Sequence, residues 1–326
     1  MYDFIAIGDT VTDAFIKLKT ADVVGTPDTP DYKICLPFAE KVPYEDVFVI
    51  PGVGNAANAA VSASRLGLKS ALVSNIGDDL QGKDCLDAFK KDTVGADFIK
   101  INQGLKTNYH YVLWYGPERT ILIKHEIYPY TLPDIGAPKW VYFSSVNETA
   151  FPFHNVVADY LDAHPDIQFA FQPGKFEIKL GKEKLSRLYK RTNIFFCNVE
   201  EAKTILGDGK TEIKDLLLGI HLLGPQAVVI TDGPKGAYGA DKTGLYFAPP
   251  FNPEEMAFER TGAGDAFASA TTSALALGKT LSEALAWGAV NGMSVCRYVG
   301  AQKGLLTQEQ IQAELSKKPD YKVSGM

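Results

Sequence analysis

Glu259-Arg260-Thr261-Gly262-Ala263-Gly264-Asp265-Ala266-Phe267 is the stretch on which the reading of this chain turns. It runs into an Ala- and Ser-rich segment, to Leu277, that has the composition of a buried helix. The small residues Gly262, Ala263 and Gly264 let a backbone turn come close to a ligand. A helix starting there offers free N–H groups and the positive end of its dipole, which together make an anion hole. Asp265 stands beside those donors, where a carboxylate can take a proton from an attacking hydroxyl while the backbone holds the developing charge. Phosphoryl transfer to an alcohol is the chemistry this pattern suits. An Asp in the first turn also improves the electrostatics of any helix, so by itself it specifies nothing.

Composition narrows the ligand. The chain has 326 residues and is 46% hydrophobic, ample for a sizeable core, and is read as a single domain over 1–326. A net charge of -6 lacks the basic field that nucleic acid or an anionic membrane requires, so small molecules are the expected partners. No apolar run reaches the roughly 18 residues of a membrane span. The chain opens on the strand-like Tyr2-Asp3-Phe4-Ile5-Ala6-Ile7 rather than a basic stretch and signal core, which gives a cytoplasmic expectation. The cysteines at 35, 85, 197 and 296 show no close pairing and are expected as buried free thiols. The five histidines form no HExxH, so neither a zinc site nor a histidine-metal hydrolase is indicated.

Short β-branched or aromatic runs at Phe4 to Ile7, Ala71 to Val73, Trp140 to Phe143, Phe169 to Phe171, Ile194 to Phe196 and Ala227 to Ile230 alternate with helical segments. That alternation predicts an α/β fold with a doubly wound, mainly parallel sheet flanked by helices, and ligands beyond the carboxyl ends of its strands. Residues about 14–50 and 107–127 break the pattern with antiparallel-looking strands and are read as a small β lid. The polar end, Lys317 to Met326, is expected to fray.

Gly52-Val53-Gly54-Asn55-Ala56-Ala57-Asn58 formally matches the dinucleotide fingerprint. A Rossmann site, however, wants an acidic residue at the end of the next strand, and Ala71-Leu72-Val73 leads only to Ser74 and Asn75. A Walker A loop fails too, because Gly236 to Thr243 carries Asp241 where the second glycine must stand.

Five motifs in one order bring these pieces together: Gly8-Asp9-Thr10-Val11-Thr12-Asp13; Gly52 to Asn58, continued by Arg65-Leu66-Gly67 and Gly77-Asp78-Asp79-Leu80-Gln81-Gly82; Asn198-Val199-Glu200-Glu201; Thr231-Asp232-Gly233-Pro234-Lys235-Gly236; and the opening stretch. From about Tyr2 to about Leu306 the chain resembles the ribokinase-like (PfkB) carbohydrate kinase family. The resemblance implies Asp265 as catalytic base and Gly262, Ala263 and Gly264 as anion hole. It assigns Asp13, Gly54 and Asn58 to the sugar, and Thr231, Gly233 and Gly236 to ATP. Asn198 and Glu201 would organise magnesium, a hard ion that keeps several waters and needs few protein ligands. ATP and magnesium are the implied cofactors.

Three departures stand out. Val53 replaces the first of two adjacent glycines, Gln172 follows the strand where many relatives carry an acid, and Glu259-Arg260-Thr261 stands for the usual Asp-Thr-Thr. In many relatives that last loop helps hold a monovalent cation, which Arg260 is a candidate to replace unless it reaches a substrate anion. Asp265 is expected to act with a pKa near the ordinary carboxylate value of about 4, because the hydroxyl turns acidic only as the new bond forms. The reading is an ATP-dependent kinase of a small sugar. A nucleoside kinase is the alternative, favoured by Tyr109, Tyr111, Trp114 and Tyr115 as a lid-borne aromatic wall, and a non-catalytic sugar- or nucleotide-binding protein is the third reading. Edge strands of the lid offer a two-fold contact for a homodimer.

Overall fold

Phe4–Ile7 (β1) sends its side chains alternately into two apolar layers, Phe4 and Ala6 to one, Ile5 and Ile7 to the other. A strand buried on both faces belongs in the middle of a sheet covered by helices on each side. The computed structural model describes residues 1–26, 31–116, 118–207, 209 and 211–326. The next strands are Val11–Leu18 (β2), Asp22–Val24 (β3), Lys33–Cys35 (β4), Tyr44–Val53 (β5), Ser70–Gly77 (β6), Ile99–Asn102 (β7), Tyr109–Tyr115 (β8) and Glu118–Leu122 (β9). They continue with Trp140–Phe143 (β10), Gln168–Phe171 (β11), Ile194–Asn198 (β12), Ala227–Thr231 (β13), Ala237–Asp241 (β14), Gly244–Ala248 (β15) and Ser324–Gly325 (β16). The helices are Asn55–Arg65 (α1), Leu80–Lys91 (α2), Phe151–Ala163 (α3), Lys175–Leu180 (α4), Ser186–Arg191 (α5), Val199–Leu206 (α6), Ile213–His221 (α7), Ala263–Ala276 (α8), Leu281–Val295 (α9) and Gln308–Lys317 (α10).

The large sheet runs β7-β6-β1-β10-β11-β12-β13-β14-β15-β16, parallel from β7 to β13 and antiparallel beyond. The chain leaves β1 for β6 and β7, then returns to lay β10 along the other side of β1. Strand order therefore reverses between β1 and β10, and a crevice opens at their carboxyl ends. Gly8 sits at that point: a Cβ there would stand 2.7 Å from Ala56 Cβ and 3.0 Å from the Ser145 carbonyl oxygen. A second sheet, β5-β2-β8-β9, pairs β2 antiparallel to β5 and parallel to β8, and forms the lid.

Two expectations are corrected. The C-terminal residues do not fray: β16 pairs with β15, Tyr321 donates to the Pro249 carbonyl at 2.7 Å, and its ring meets Phe251 with centroids 5.0 Å apart. The polar composition hid these anchors. Of the cysteines, Cys85 and Cys197 are buried and Cys296 partly so, but Cys35 is exposed, because β3 and β4 pair only with each other and stand away from the core. All four are free.

α8 is held where it is by small residues. A Cβ on Gly288 of α9 would lie 2.4 Å from Thr271 Oγ1 and 2.9 Å from the Phe267 carbonyl oxygen of α8. The close approach of these helices thus requires a glycine there. Gly288→Val is expected to lower unfolding free energy by about 1–3 kcal/mol, the usual cost of overpacking, read from a denaturant midpoint. A midpoint equal to that of the unchanged protein would show that the helix pair yields freely.

Candidate active site

A cavity of about 420 Å³ lies between the carboxyl ends of the central strands and the lid. Asp13, Gly54, Asn58, Asn198, Glu201, Thr231, Gly262, Gly264 and Asp265 all line it, so residues from widely separated stretches converge on one space. Ala263, Gly233 and Gly236 do not line it.

Asp265 is at its centre. Asn58 Nδ2 donates to its Oδ2 at 2.8 Å, and Gln172 Nε2 donates to its Oδ1 at 3.2 Å. Each amide is oriented in turn. Gln302 Nε2 donates to Asn58 Oδ1 at 3.0 Å and to the Gly52 carbonyl at 2.8 Å, while the Tyr142 hydroxyl donates to Gln172 Oε1. Burial pushes the Asp265 pKa up from the ordinary carboxylate value, and the Asp13 charge adds to the rise. The bonds from Asn58 and Gln172 and the Arg119 guanidinium pull the other way without cancelling it. The expected near-normal pKa is therefore corrected: the carboxyl is too well removed from water to keep it.

The backbone at the start of α8 has a shape that suits an anion. Gly262 caps α8 in the left-handed region, with φ 80° and ψ 1°, and a Cβ there would stand 2.3 Å from Ala301 Cβ. Only glycine meets both conditions. Ala266 N–H donates to the Gly262 carbonyl at 2.8 Å, and Ala263 N–H reaches the Arg260 carbonyl at 3.4 Å. The N–H groups of Gly264 and Asp265 find no acceptor among the described residues, and space is open beside the Gly264 Cα. Two donors at a helix N-terminus beside a carboxyl group can hold an anion while the carboxyl accepts a proton.

Opposite, Asp13 on β2 is buried, with Oδ1 lacking a hydrogen-bond partner among the described residues. That oxygen lies 3.3 Å from His110 Nδ1 on β8, the residue in register with it. His110 Nε2 is 3.3 Å from His125 Nε2, and His125 Nδ1 is 3.2 Å from Asp9 Oδ2. Tyr130 donates to both oxygens of Asp9, at 2.8 and 2.9 Å. Gly54 sets this wall: at φ 114°, with a would-be Cβ 2.7 Å from the Asp9 carbonyl oxygen, it lets α1 begin close enough to bring Asn58 to Asp265.

Asn198 and Glu201 form the capping box of α6. Asn198 N–H donates to Glu201 Oε2, and Glu201 N–H to Asn198 Oδ1, both at 2.8 Å. That role alone accounts for the pair, yet burial holds the Glu201 pKa above its ordinary value, and the Asp265 charge reinforces the rise against the Asn198 backbone bond and Lys175. Thr231 ends β13 at the cavity, while Gly233 and Gly236 shape the turn behind it. Gly236 has φ 103° and a would-be Cβ 2.4 Å from the Ala248 carbonyl oxygen.

The aromatic wall is not at the cavity. Strand alternation turns Tyr109, Tyr111 and Tyr115 away from the side that His110 presents, and Trp114 is buried against Phe258 and Phe48. Val53 is likewise in the core rather than in the cavity wall. Arg260 lines the cavity and donates to Glu118 of the lid at 2.8 Å. Sequence reasoning missed Asp9, His110, Arg119, His125, Gln172 and Gln302 as cavity or clasp residues. Gln172 carried a signal, since it breaks the usual acidic position after β11. Asp9 lies inside the first motif, which pointed to Asp13 instead, and the others sit in the lid or in the turn after α9, where no motif marks them.

The profile of the pfkB family carbohydrate kinase matches residues 23–308. The ribokinase of Bacillus subtilis (strain 168) is 29% identical over 275 residues, covering 82% of this chain and 88% of that protein. The crystal structure of the Methanocaldococcus jannaschii nucleoside kinase aligns with a TM-score of 0.73 at 21% identity, covering 97% of this chain and 98% of that one. A ribokinase from Cryptococcus neoformans in complex with ADP aligns at 0.74 and 19% identity, covering 97% and 100%. At those identities the structures establish the ribokinase-like fold. The chain belongs to the pfkB family of carbohydrate kinases and is an enzyme of the phosphotransferase class.

Proposed function

We propose that the protein is an ATP-dependent kinase of a small sugar, with Asp265 as the base that takes the acceptor's proton. The observation that carries this reading is the half-buried Asp265 carboxyl, clasped by two oriented amides, next to the unpaired N–H groups of Gly264 and Asp265. The turn through Gly262, Ala263 and Gly264 shapes the anion hole for the transferred group, and the N–H groups of Gly264 and Asp265 are its donors. Asp13, Gly54 and Asn58 hold the sugar, and the unpartnered Asp13 Oδ1 is an acceptor waiting for a hydroxyl. Thr231, Gly233 and Gly236 take the nucleotide side.

Magnesium fits the residues present. Glu201 Oε1 is left over by the capping box, and a partly buried carboxyl with a raised pKa is relieved by a nearby cation. Bound there with Asn198, the ion would neutralise phosphate charge. The protein's own work is positioning: Asp13 and Asn58 fix the acceptor, Asp265 receives its proton, and the lid keeps water from the phosphoryl group. The nucleoside reading loses the support it drew from lid aromatics. The binding-protein reading leaves the two-amide clasp on Asp265 without a purpose.

The outer lid face carries the homodimer expectation. Val49, Tyr111 and Leu122 lie in one row across β5, β8 and β9 and are 55%, 50% and 51% exposed. A second copy of this chain is the partner proposed to cover that apolar row.

Acceptor-dependent ATP consumption over a panel of sugars, sugar phosphates, sugar acids and nucleosides tests the reaction. Asp265→Asn is expected to cut it by about 10²–10⁴-fold while ATP still binds; full turnover in that variant would remove Asp265 as base. Because the base works unprotonated, activity falls as pH drops through its pKa, and the raised pKa places this acid limb above the ordinary value near 4. Gln172→Leu removes a donor that favours the charged form, so the limb is expected to move to still higher pH. A limb that stays put belongs to another group. Sedimentation is expected to give a dimer that Val49→Asp dissociates, and a monomeric parent protein would refute the lid contact.

A further inference from the structure

Three contacts join the lid to the residues leading into the anion hole, and they run in step along both segments. Trp114 of β8 meets the Phe258 ring edge-on, with centroids 5.3 Å apart. Arg119, its cross-strand neighbour on β9, places Nε 3.8 Å from Glu259 Oε1. Arg260 Nη1 donates to Glu118 Oε1 at 2.8 Å. Glu118-Arg119 thus opposes Glu259-Arg260 with the charges crossed.

Glu259 is the anchor of the loop. It has no exposed surface; Oε1 accepts from Thr261 N–H and Thr261 Oγ1 at 2.7 and 2.6 Å, and Oε2 accepts from Gly300 N–H at 3.3 Å. Its side chain therefore ties Thr261, the residue before Gly262, to the segment carrying Ala301, against which Gly262 packs. Arg119 faces this anchor with an unmade bond: its Nε is buried and lacks a hydrogen-bond partner among the described residues. A buried donor left unpaired beside a carboxyl is a contact that gains by shortening. The same guanidinium lies near enough to Asp265 to lower its pKa.

We propose that this crossed pair couples the lid to the phosphoryl site: Arg119 and Glu118, seated on Glu259 and Arg260, set the loop 259–262 and hence the anion hole and Asp265. Arg119 acts through Glu259 and is a positioning residue. The coupling rests on the kinase reading for its purpose, whereas the contacts are a property of the fold. It also gives a use to the departure at 259–261, since Glu-Arg in the loop is matched by Glu-Arg in the lid.

Glu118→Arg, Arg260→Glu and the double exchange test it by hydrogen–deuterium exchange and by turnover. Each single change is expected to speed exchange in peptides of β9 and equally in peptides spanning 258–264, and to lower kcat roughly 10- to 100-fold with little change in acceptor KM. The double exchange is expected to recover protection and kcat together. Glu118→Gln, which adds no repulsion, is expected to shift exchange in the same direction. Wild-type protection at 258–264 in both Glu118 variants, or losses that add in the double variant, would overturn the coupling. A parent protein that turns over no acceptor, yet shows linked exchange, refutes the kinase reading and retains the clasp.

Discussion

The site is organised around one half-buried acid that must be kept from either leaving or collapsing. Asp265 lies in a space drier than a carboxylate prefers, and the fold answers with donors from different parts of the chain: Asn58 from the start of α1 and Gln172 from the end of β11. Gln302 and Tyr142 in turn stop those amides from rotating. Two donors lower the cost of burial but do not remove it, and the residual rise in pKa is the measure of what is left. A carboxyl held this way cannot swing aside when the cavity is empty, so its geometry exists before any ligand arrives.

That arrangement depends on backbones coming closer than most side chains allow. Gly262 against Ala301, Gly288 against Thr271 and Gly54 against Asp9 are three such approaches, and each sets the start or the tilt of a helix that carries a site residue. The alanines of α1 and α8 serve the same end, since both helices must lie flat against one face of the sheet while keeping their first turns at the crevice. On the opposite face, Phe143, Phe153, Phe169, Phe171 and Phe195 fill the layer beneath α3 and α5.

Much of this was legible in the sequence, and the part that was not shares a cause. β1 and β10 fall where their apolar runs predict, because a strand buried on both faces leaves an unbroken hydrophobic stretch. Gly262 and Asp265 were legible because close approach and anion binding demand particular residue types at fixed spacing. The role of Tyr111 was not, because a β8 tyrosine facing the cavity and one facing outward have the same local sequence, and only pairing with β2 decides which. Gln302 was invisible for a related reason: an amide's partner is 244 residues away along the chain, and nothing local announces it. Asn198 and Glu201 were read as a magnesium site, and the fold makes them the capping box of α6, with Glu201 Oε1 outside that box.

The two histidines between Asp13 and Asp9 are linked through their hydrogens. At 3.3 Å, His110 Nε2 and His125 Nε2 cannot both bear a hydrogen aimed at the other, so the tautomers of the two rings are a single choice. The ring that donates from Nε2 is left with a bare far nitrogen, which faces Asp13 if the ring is His110 and Asp9 if it is His125. With both rings neutral, a hydrogen on the nitrogen facing Asp13 therefore implies none on the nitrogen facing Asp9, and the reverse, without any atom heavier than hydrogen having to move.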